Sequence, residues 1–144
     1  MTPRSSAAME VAIVGSREFK ALWSVSDFVR RLAGKHPDAR VLSGAAAGVD
    51  QTAVAAARTA GLRVSEYPAD WSGGRGGGFR RNLEMLKDAT IVVAFWDGSS
   101  RGTAHMIVEA DKAKKPLYVY SERELKDRDV AVARAKAVMQ EKRR

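Results

Sequence analysis

Residues 91–103 read Ile91-Val92-Val93-Ala94-Phe95-Trp96-Asp97-Gly98-Ser99-Ser100-Arg101-Gly102-Thr103. The apolar run from Ile91 to Trp96 is unbroken and stops at an acid and a glycine. A strand with one wet face alternates apolar and polar residues. A continuous run of this length suits a strand covered on both faces, as in a parallel sheet. Beyond the turn, Thr103, Met106, Ile107, Ala110 and Ala113 recur at helical spacing, and Pro116 ends the pattern. The stretch therefore predicts a strand, a Gly- and hydroxyl-rich turn and a helix.

The same rhythm extends in both directions. Val11-Ala12-Ile13-Val14 is a second apolar run, stopped by Gly15; Val41-Leu42, Val64 to Tyr67 and Leu117-Tyr118-Val119-Tyr120 supply the others. Leu22, Val25, Val29 and Leu32 mark one helix. Val49, Thr52, Ala53, Ala56, Ala57 and Ala60 mark another, stopped by Gly61, and its nearly all-Ala face lets it lie close to a sheet. Phe79, Leu83 and Leu86 mark a short helix. Ser121-Glu122-Arg123-Glu124 reads as a capping box opening a C-terminal helix from about residue 121, with Leu125, Val132 and Met139 on one side. Alternation of this kind predicts the α/β class: a Rossmann-like three-layer sandwich with a mostly parallel sheet of about five strands. Right-handed crossovers favour an order such as 3-2-1-4-5. Residues 1–9 read as a disordered lead and 10–144 as a single domain.

Composition narrows the function classes. The 144 residues contain no Cys, which excludes disulfides, thiolate catalysis and Cys-based zinc sites. No His/Asp/Glu cluster has metal-ligand spacing, so neither a metal nor a cofactor is expected. The longest apolar run is far short of a membrane span, and the first residues have no apolar signal segment. A reducing cytoplasm is the expected compartment. The net charge of +8 favours phosphorylated or polyanionic partners, but no basic tract is dense enough to form a nucleic-acid motif.

Ligands of open α/β sheets bind beyond the carboxyl ends of the strands. Those ends are followed here by Gly15-Ser16-Arg17, by Ser43-Gly44-Ala45-Ala46-Ala47-Gly48-Val49-Asp50, and by Asp97 to Thr103. The third strand is followed by Pro68-Ala69-Asp70-Trp71 and a Gly-rich stretch, 72–78, that reads as a mobile loop leading to Arg80-Arg81-Asn82. Glycines, hydroxyls, arginines and helix starts on one edge are the parts of an anion site. Ser16, Arg17, Gly44, Arg81, Arg101 and Thr103 are the expected phosphate holders, with Gly15, Ser43, Gly48, Asn82, Gly98, Ser99 and Gly102 shaping the site. Trp71 is placed to stack on a base. Asp50 and Asp97 are candidates for holding ribose hydroxyls or for capping helices. His36 and His105 read as bystanders.

The ordered series Gly15-Ser16-Arg17-Glu18-Phe19, Ser43 to Asp50, Tyr67-Pro68-Ala69-Asp70-Trp71, Arg81-Asn82-Leu83-Glu84-Met85 and Ala94 to Thr103 resembles the YspA-like, cpYpsA-related branch of the SLOG superfamily. These are small Rossmann-like domains common in bacteria and phages. The resemblance covers about residues 10–120 and implies a nucleotide or nucleotide-derived small molecule at the strand carboxyl edge. It implies two further readings. The Lonely Guy phosphoribohydrolases, which are nucleoside-monophosphate N-glycosidases, share Gly102-Thr103 and the Arg81/Met85 helix. Their catalytic Glu position is Met106 here, leaving Glu109, Asp97 and Asp50 as substitute carboxylates. The DprA-like DNA-processing proteins are similar in fold and bind single-stranded DNA. The relatives are often dimers or higher oligomers, so a homo-oligomer is an expectation.

Overall fold

The computed structural model describes residues 8–74, 76–121 and 124–141. Strand β1 (Glu10–Gly15) leads to helix α1 (Leu22–Lys35), β2 (Arg40–Ser43) to α2 (Val49–Thr59), and β3 (Arg63–Glu66) to α3 (Gly77–Asp88). Then β4 (Ile91–Phe95) leads to α4 (Arg101–Lys112), and β5 (Leu117–Tyr120) to a 3-10 turn and α5 (Arg128–Gln140). The sheet has five strands in the order β3-β2-β1-β4-β5, and every pair is parallel. The chain winds outward from β1 to β3 and then crosses back to β4. The order therefore reverses between β1 and β4, the switch point where a crevice opens above an α/β sheet.

The period of two along each strand sorts the core into two layers. Val11, Ile13, Val41, Val93 and Phe95 point to one face, where they pack with Val25, Val29 and Leu32 of α1 and Val49, Ala53 and Ala57 of α2. Ala12, Val14, Leu42, Val92 and Ala94 point to the other, against Met85 and Leu86 of α3, Met106, Ile107 and Ala110 of α4, and Ala131, Val132, Ala135 and Val138 of α5. Both faces are covered, which is why the strands read as continuous apolar runs. A Cβ at Gly15 would lie 2.6 Å from both γ-methyls of Val49 and 2.7 Å from the Phe95 carbonyl oxygen. Glycine at the end of β1 therefore lets α2 begin directly on the sheet edge.

Two local expectations are corrected. Leu83, expected on the buried face of α3, is 46% exposed; Asn82, Met85 and Leu86 face inward instead. Gly77 and Gly78 belong to the first turn of α3 and not to a loop. The capping box at 121–124 includes Glu122 and Arg123, which lie outside the described residues. The described helix α5 opens later, where the Asp127 carboxylate accepts from the backbone N–H groups of Asp129 (2.9 Å) and Val130 (3.2 Å). Among the described residues, no helix is long and apolar enough to cross a membrane.

Candidate functional site

A cavity of ≈ 1000 Å³ lies above the carboxyl ends of β1, β2 and β4. The β1 end contributes Gly15, Ser16, Arg17 and Glu18, and the β2 end contributes Gly44, Ala46 and Asp50. Trp71 and the start of α3, including Arg81 and Asn82, form one wall; Asp97 and residues 99–103 form another. The parallel sheet brings to one edge segments that the sequence spreads over nearly 90 positions.

The β4–α4 turn is built around Asp97. Its Oδ1 accepts from the backbone N–H groups of Ser99 and Ser100, both at 2.9 Å, while its own N–H donates to the buried Ser16 hydroxyl at 3.2 Å. Burial pushes the Asp97 carboxyl up, but the Ser99 and Ser100 N–H groups and the Ser16 and Ser99 hydroxyls outweigh it and hold the group below its ordinary value. Asp97 is thus committed to shaping the turn. The N–H groups of Arg101, Gly102 and Thr103 follow in the first turn of α4, where a helix offers no internal acceptor. No acid occupies that turn, and a Cβ at Gly102 would meet nothing within 4 Å. The first turn of α4 therefore carries no acid and is sterically open, with the Asp97 carboxylate held just ahead of it.

Arg81 crosses the cavity from α3. Its Nη1 donates to the Gly44 carbonyl oxygen and, at 3.4 Å, to that of Tyr67; its Nε donates to Asn82 Oδ1 at 3.1 Å. A Cβ at Gly44 would lie 2.4 Å from Arg81 Nη1 and 3.0 Å from Asp50 Oδ2. Only glycine leaves room for the guanidinium and the carboxyl side by side over the β2 end. Burial lowers the Arg81 pKa, and Asp50 opposes that shift. The Asn82 amide nitrogen donates to the Gly102 carbonyl oxygen (3.0 Å) and lies 3.2 Å from His105 Nδ1. An amide NH₂ only donates, so His105 Nδ1 accepts and the neutral ring carries its proton on Nε2. Burial lowers the His105 pKa, consistent with that neutral form. The His105 ring stacks on Phe79 with centroids 4.0 Å apart. Asn82 and His105 thereby tie the starts of α3 and α4 together.

Trp71 is 58% exposed, and its indole lies along the first turn of α3. A Cβ at Gly77 or Gly78 would approach the ring to 3.3 or 3.1 Å. These glycines seat an aromatic wall, a role that their reading as loop residues missed. Phe79 is a further lining residue that sequence reasoning missed, because its helical spacing marked it as core.

Asp50 is the most unusual group in the cavity. It is 5% exposed; Oδ2 accepts from the Ala46 N–H at 3.0 Å, and Oδ1 has no partner. Burial pushes its pKa up to about 6, against the Ala46 N–H and the charges of Arg81 and Arg17. A raised folded-state pKa means that the native state holds the proton more tightly. The associated stability is complete below the ordinary carboxylate range and is lost as pH rises through about 6. The stability difference between wild type and Asp50→Asn is expected to change by up to about 3 kcal/mol between pH 4 and pH 8, in the direction that favours Asn at high pH. Urea unfolding of both proteins across that range checks it; a constant difference would show that Asp50 titrates normally.

Several expected site residues have other partners or positions. Arg101 lines the cavity, but its Nη1 donates to the Val138 carbonyl oxygen at 2.8 Å and that of Glu141 at 3.4 Å. Its Nη1 caps the last turn of α5, because α5 packs against α4 and offers it unpaired carbonyls. Ser43 is wholly buried and its hydroxyl accepts from the Ala45 N–H at 3.2 Å, so it shapes the loop from below. Gly48 has φ +76°, and a Cβ there would lie 2.7 Å from the Arg17 carbonyl oxygen. It seats the Arg17 backbone without lining the cavity. Gly98 lines a neighbouring groove of ≈ 860 Å³ that shares Asp97 and Ser99 with the cavity. Met106 is fully buried in the core, and Glu109, outside the cavity lining, pairs with Lys112 at 3.3 Å. Among the described residues no group of three or more His, Asp or Glu gathers to hold a metal.

Residues 9–74 match the YspA, cpYpsA-related SLOG family (YAcAr). The SLOG match spans β1 to the Trp71 turn, and so takes in the Arg17 and Asp50 side of the cavity but not Arg81 or the β4–α4 turn. Among solved structures, the DNA processing protein A of Helicobacter pylori, described with a single-stranded DNA binding mode, shares the fold at a TM-score of 0.65 and 21% identity. That alignment covers 94% of this chain and 75% of that one. The DNA processing protein A of Streptococcus pneumoniae aligns at a TM-score of 0.70 and 17% identity, over 92% of this chain and 56% of that one. The chain thus spans about half the length of the second neighbour. Among curated proteins, none matches this sequence.

Proposed function

We propose that the protein binds a nucleotide or nucleotide-derived ligand through phosphate at the carboxyl edge of the sheet. The observation that carries this reading is the start of α4: free N–H groups, no acid in the first turn and open space above Gly102, facing a cavity that Arg17 and Arg81 also enter. Arg17 is exposed and has no hydrogen-bond or ion-pair partner among the described residues, so its guanidinium is available to an anion. The SLOG match of the β1 and β2 ends supports the same reading. Trp71 supplies a π-face for a base.

Calorimetric titration with the four common nucleoside 5′-monophosphates tests it. Micromolar binding that inorganic phosphate competes away is the expected result; no heat with any of the four would sink the reading. Single-stranded DNA is the second reading, favoured by the Helicobacter pylori neighbour and the +8 charge. DNA affinity falls steeply with log salt, whereas that of a single nucleotide falls far less.

Hydrolysis of the N-glycosidic bond needs a carboxylate beside the sugar. Met106 is apolar and buried, Glu109 is outside the cavity, and Asp97 is engaged by the α4 turn, which leaves Asp50. We expect the four monophosphates to bind without enzyme-like turnover, well below ~1 s⁻¹. Chromatography of free base after incubation measures this. Rapid release that disappears in Asp50→Asn would overturn it and make Asp50 a catalytic carboxylate.

A further inference from the structure

We infer that Asp50 reads the 2′-hydroxyl of the ligand's sugar, so that the cavity takes ribonucleotide-type ligands in preference to their 2′-deoxy counterparts; this rests on the phosphate reading above.

The first support is a buried acceptor without a donor. Asp50 is 95% buried by the fold, lines the cavity, and spends Oδ2 on the Ala46 N–H, yet Oδ1 has no hydrogen-bond partner. A buried carboxylate oxygen left unpaired is costly, and a donor supplied by a ligand removes that cost. The charged groups nearest to it are Arg81 from α3 and Arg17 from the β1–α1 turn, and neither is paired with it within 4.0 Å. The vacant acceptor is therefore not part of an internal ion pair.

The second support is the distribution of charge among the three helix starts around the cavity. Asp50 lies in the first turn of α2 and already supplies its negative charge. The first turns of α3 and α4 contain no acid. A phosphate is repelled by Asp50 at the α2 start and by Asp97 just ahead of α4, and is drawn to the α3 start, the open first turn of α4 and the arginines. What meets Asp50 must be an uncharged donor on the same ligand.

The third support is the order of groups along the wall. The Cβ position of Gly44 lies close to both Asp50 Oδ2 and Arg81 Nη1; that of Gly78 lies 3.1 Å from the Trp71 ring and 3.7 Å from Arg81 Nη2. The guanidinium of Arg81 thus stands between the carboxyl of Asp50 and the indole of Trp71. With a base on Trp71, the donor that reaches Asp50 comes from the sugar and not from an exocyclic amine. A site that hydrogen-bonds a hydroxyl rejects the analogue lacking it far more strongly than a merely apolar pocket does.

The experiment is calorimetry at pH 8 with the full chain and the four ribonucleoside 5′-monophosphates, each paired with its 2′-deoxy counterpart. The tightest-binding pair is expected to favour the ribose member by ten-fold or more. In Asp50→Asn that ratio is expected to fall below three-fold. The ratio is the readout because a general disturbance of the site weakens both members together, and the wild-type arm stands even if the variant does not fold. Equal affinity of both members for the wild type overturns the inference while leaving the phosphate reading in place, as does a ratio that Asp50→Asn leaves unchanged. Failure of all eight nucleotides to bind overturns both.

Discussion

Replacing Arg81 by Ala is expected to weaken nucleoside monophosphate binding by about 1.5–3 kcal/mol, the range for a hydrogen bond to a charged group, or roughly ten- to hundredfold in Kd. Read from sequence, Arg81 is an exposed side chain whose loss leaves the fold untouched. The structure modifies that expectation. Arg81 is half-buried and donates to the Gly44 and Tyr67 carbonyl oxygens, so it also braces the β2 and β3 ends. A stability loss of about 1 kcal/mol should accompany the loss of affinity. Arg81→Lys separates the two effects of charge and shape, since an ammonium keeps the charge but lacks the planar fork. Calorimetry beside thermal unfolding of the three proteins checks this. Unchanged affinity in a folded Arg81→Ala protein would reduce Arg81 to a structural brace.

Gly48→Ala is expected to be the most damaging substitution at the site, although Gly48 lines no part of the cavity. Its φ of +76° with ψ of −119° falls where only glycine sits without strain, and an added methyl carbon would lie 2.7 Å from the Arg17 carbonyl oxygen and 3.0 Å from its Cα. Backbone strain costs of order 1–3 kcal/mol, and overpacking adds about 1–3 kcal/mol. The close partner is main chain and cannot swing away. The expected result is a loss of about 2–4 kcal/mol, a fall in Tm on the order of 10 °C, and weaker ligand binding because Arg17 is displaced. Thermal denaturation and the same nucleotide titration measure both. A Tm within about 2 °C of wild type would show that the 44–48 loop relaxes freely.

The apolar runs of β1 and β4 are legible in the sequence because a central parallel strand is covered on both sides and has no polar positions to break it. Strand β3 is the weakest apolar run, and it lies at one sheet edge, where neither Arg63 nor Glu66 is buried. The described helix α5 takes its cap from Asp127, whose carboxylate meets two backbone N–H groups. Leu83 was assigned inward by spacing, but Asn82 takes the inward position because it bridges Gly102 and His105. A polar residue that is buried for its hydrogen bonds is invisible to a hydrophobic period.

The sequence by itself determined the layer order, the parallel sheet and the edge on which a ligand would sit. Those follow from local periodicities and from the handedness of crossovers, which hold whatever the side chains later touch. The tertiary structure alone decided which polar groups are free. Arg17 and Arg101 are both arginines beside glycine turns, yet one is open to the cavity and the other is spent on the carbonyls at the end of α5. Asp97 and Asp50 are both acids near helix starts, yet Asp97 spends Oδ1 on the Ser99 and Ser100 N–H groups, whereas Asp50 keeps a buried Oδ1 without a partner. Hydrogen-bond saturation is a property of pairs distant in the chain, so it appears only once the strands have brought those pairs together.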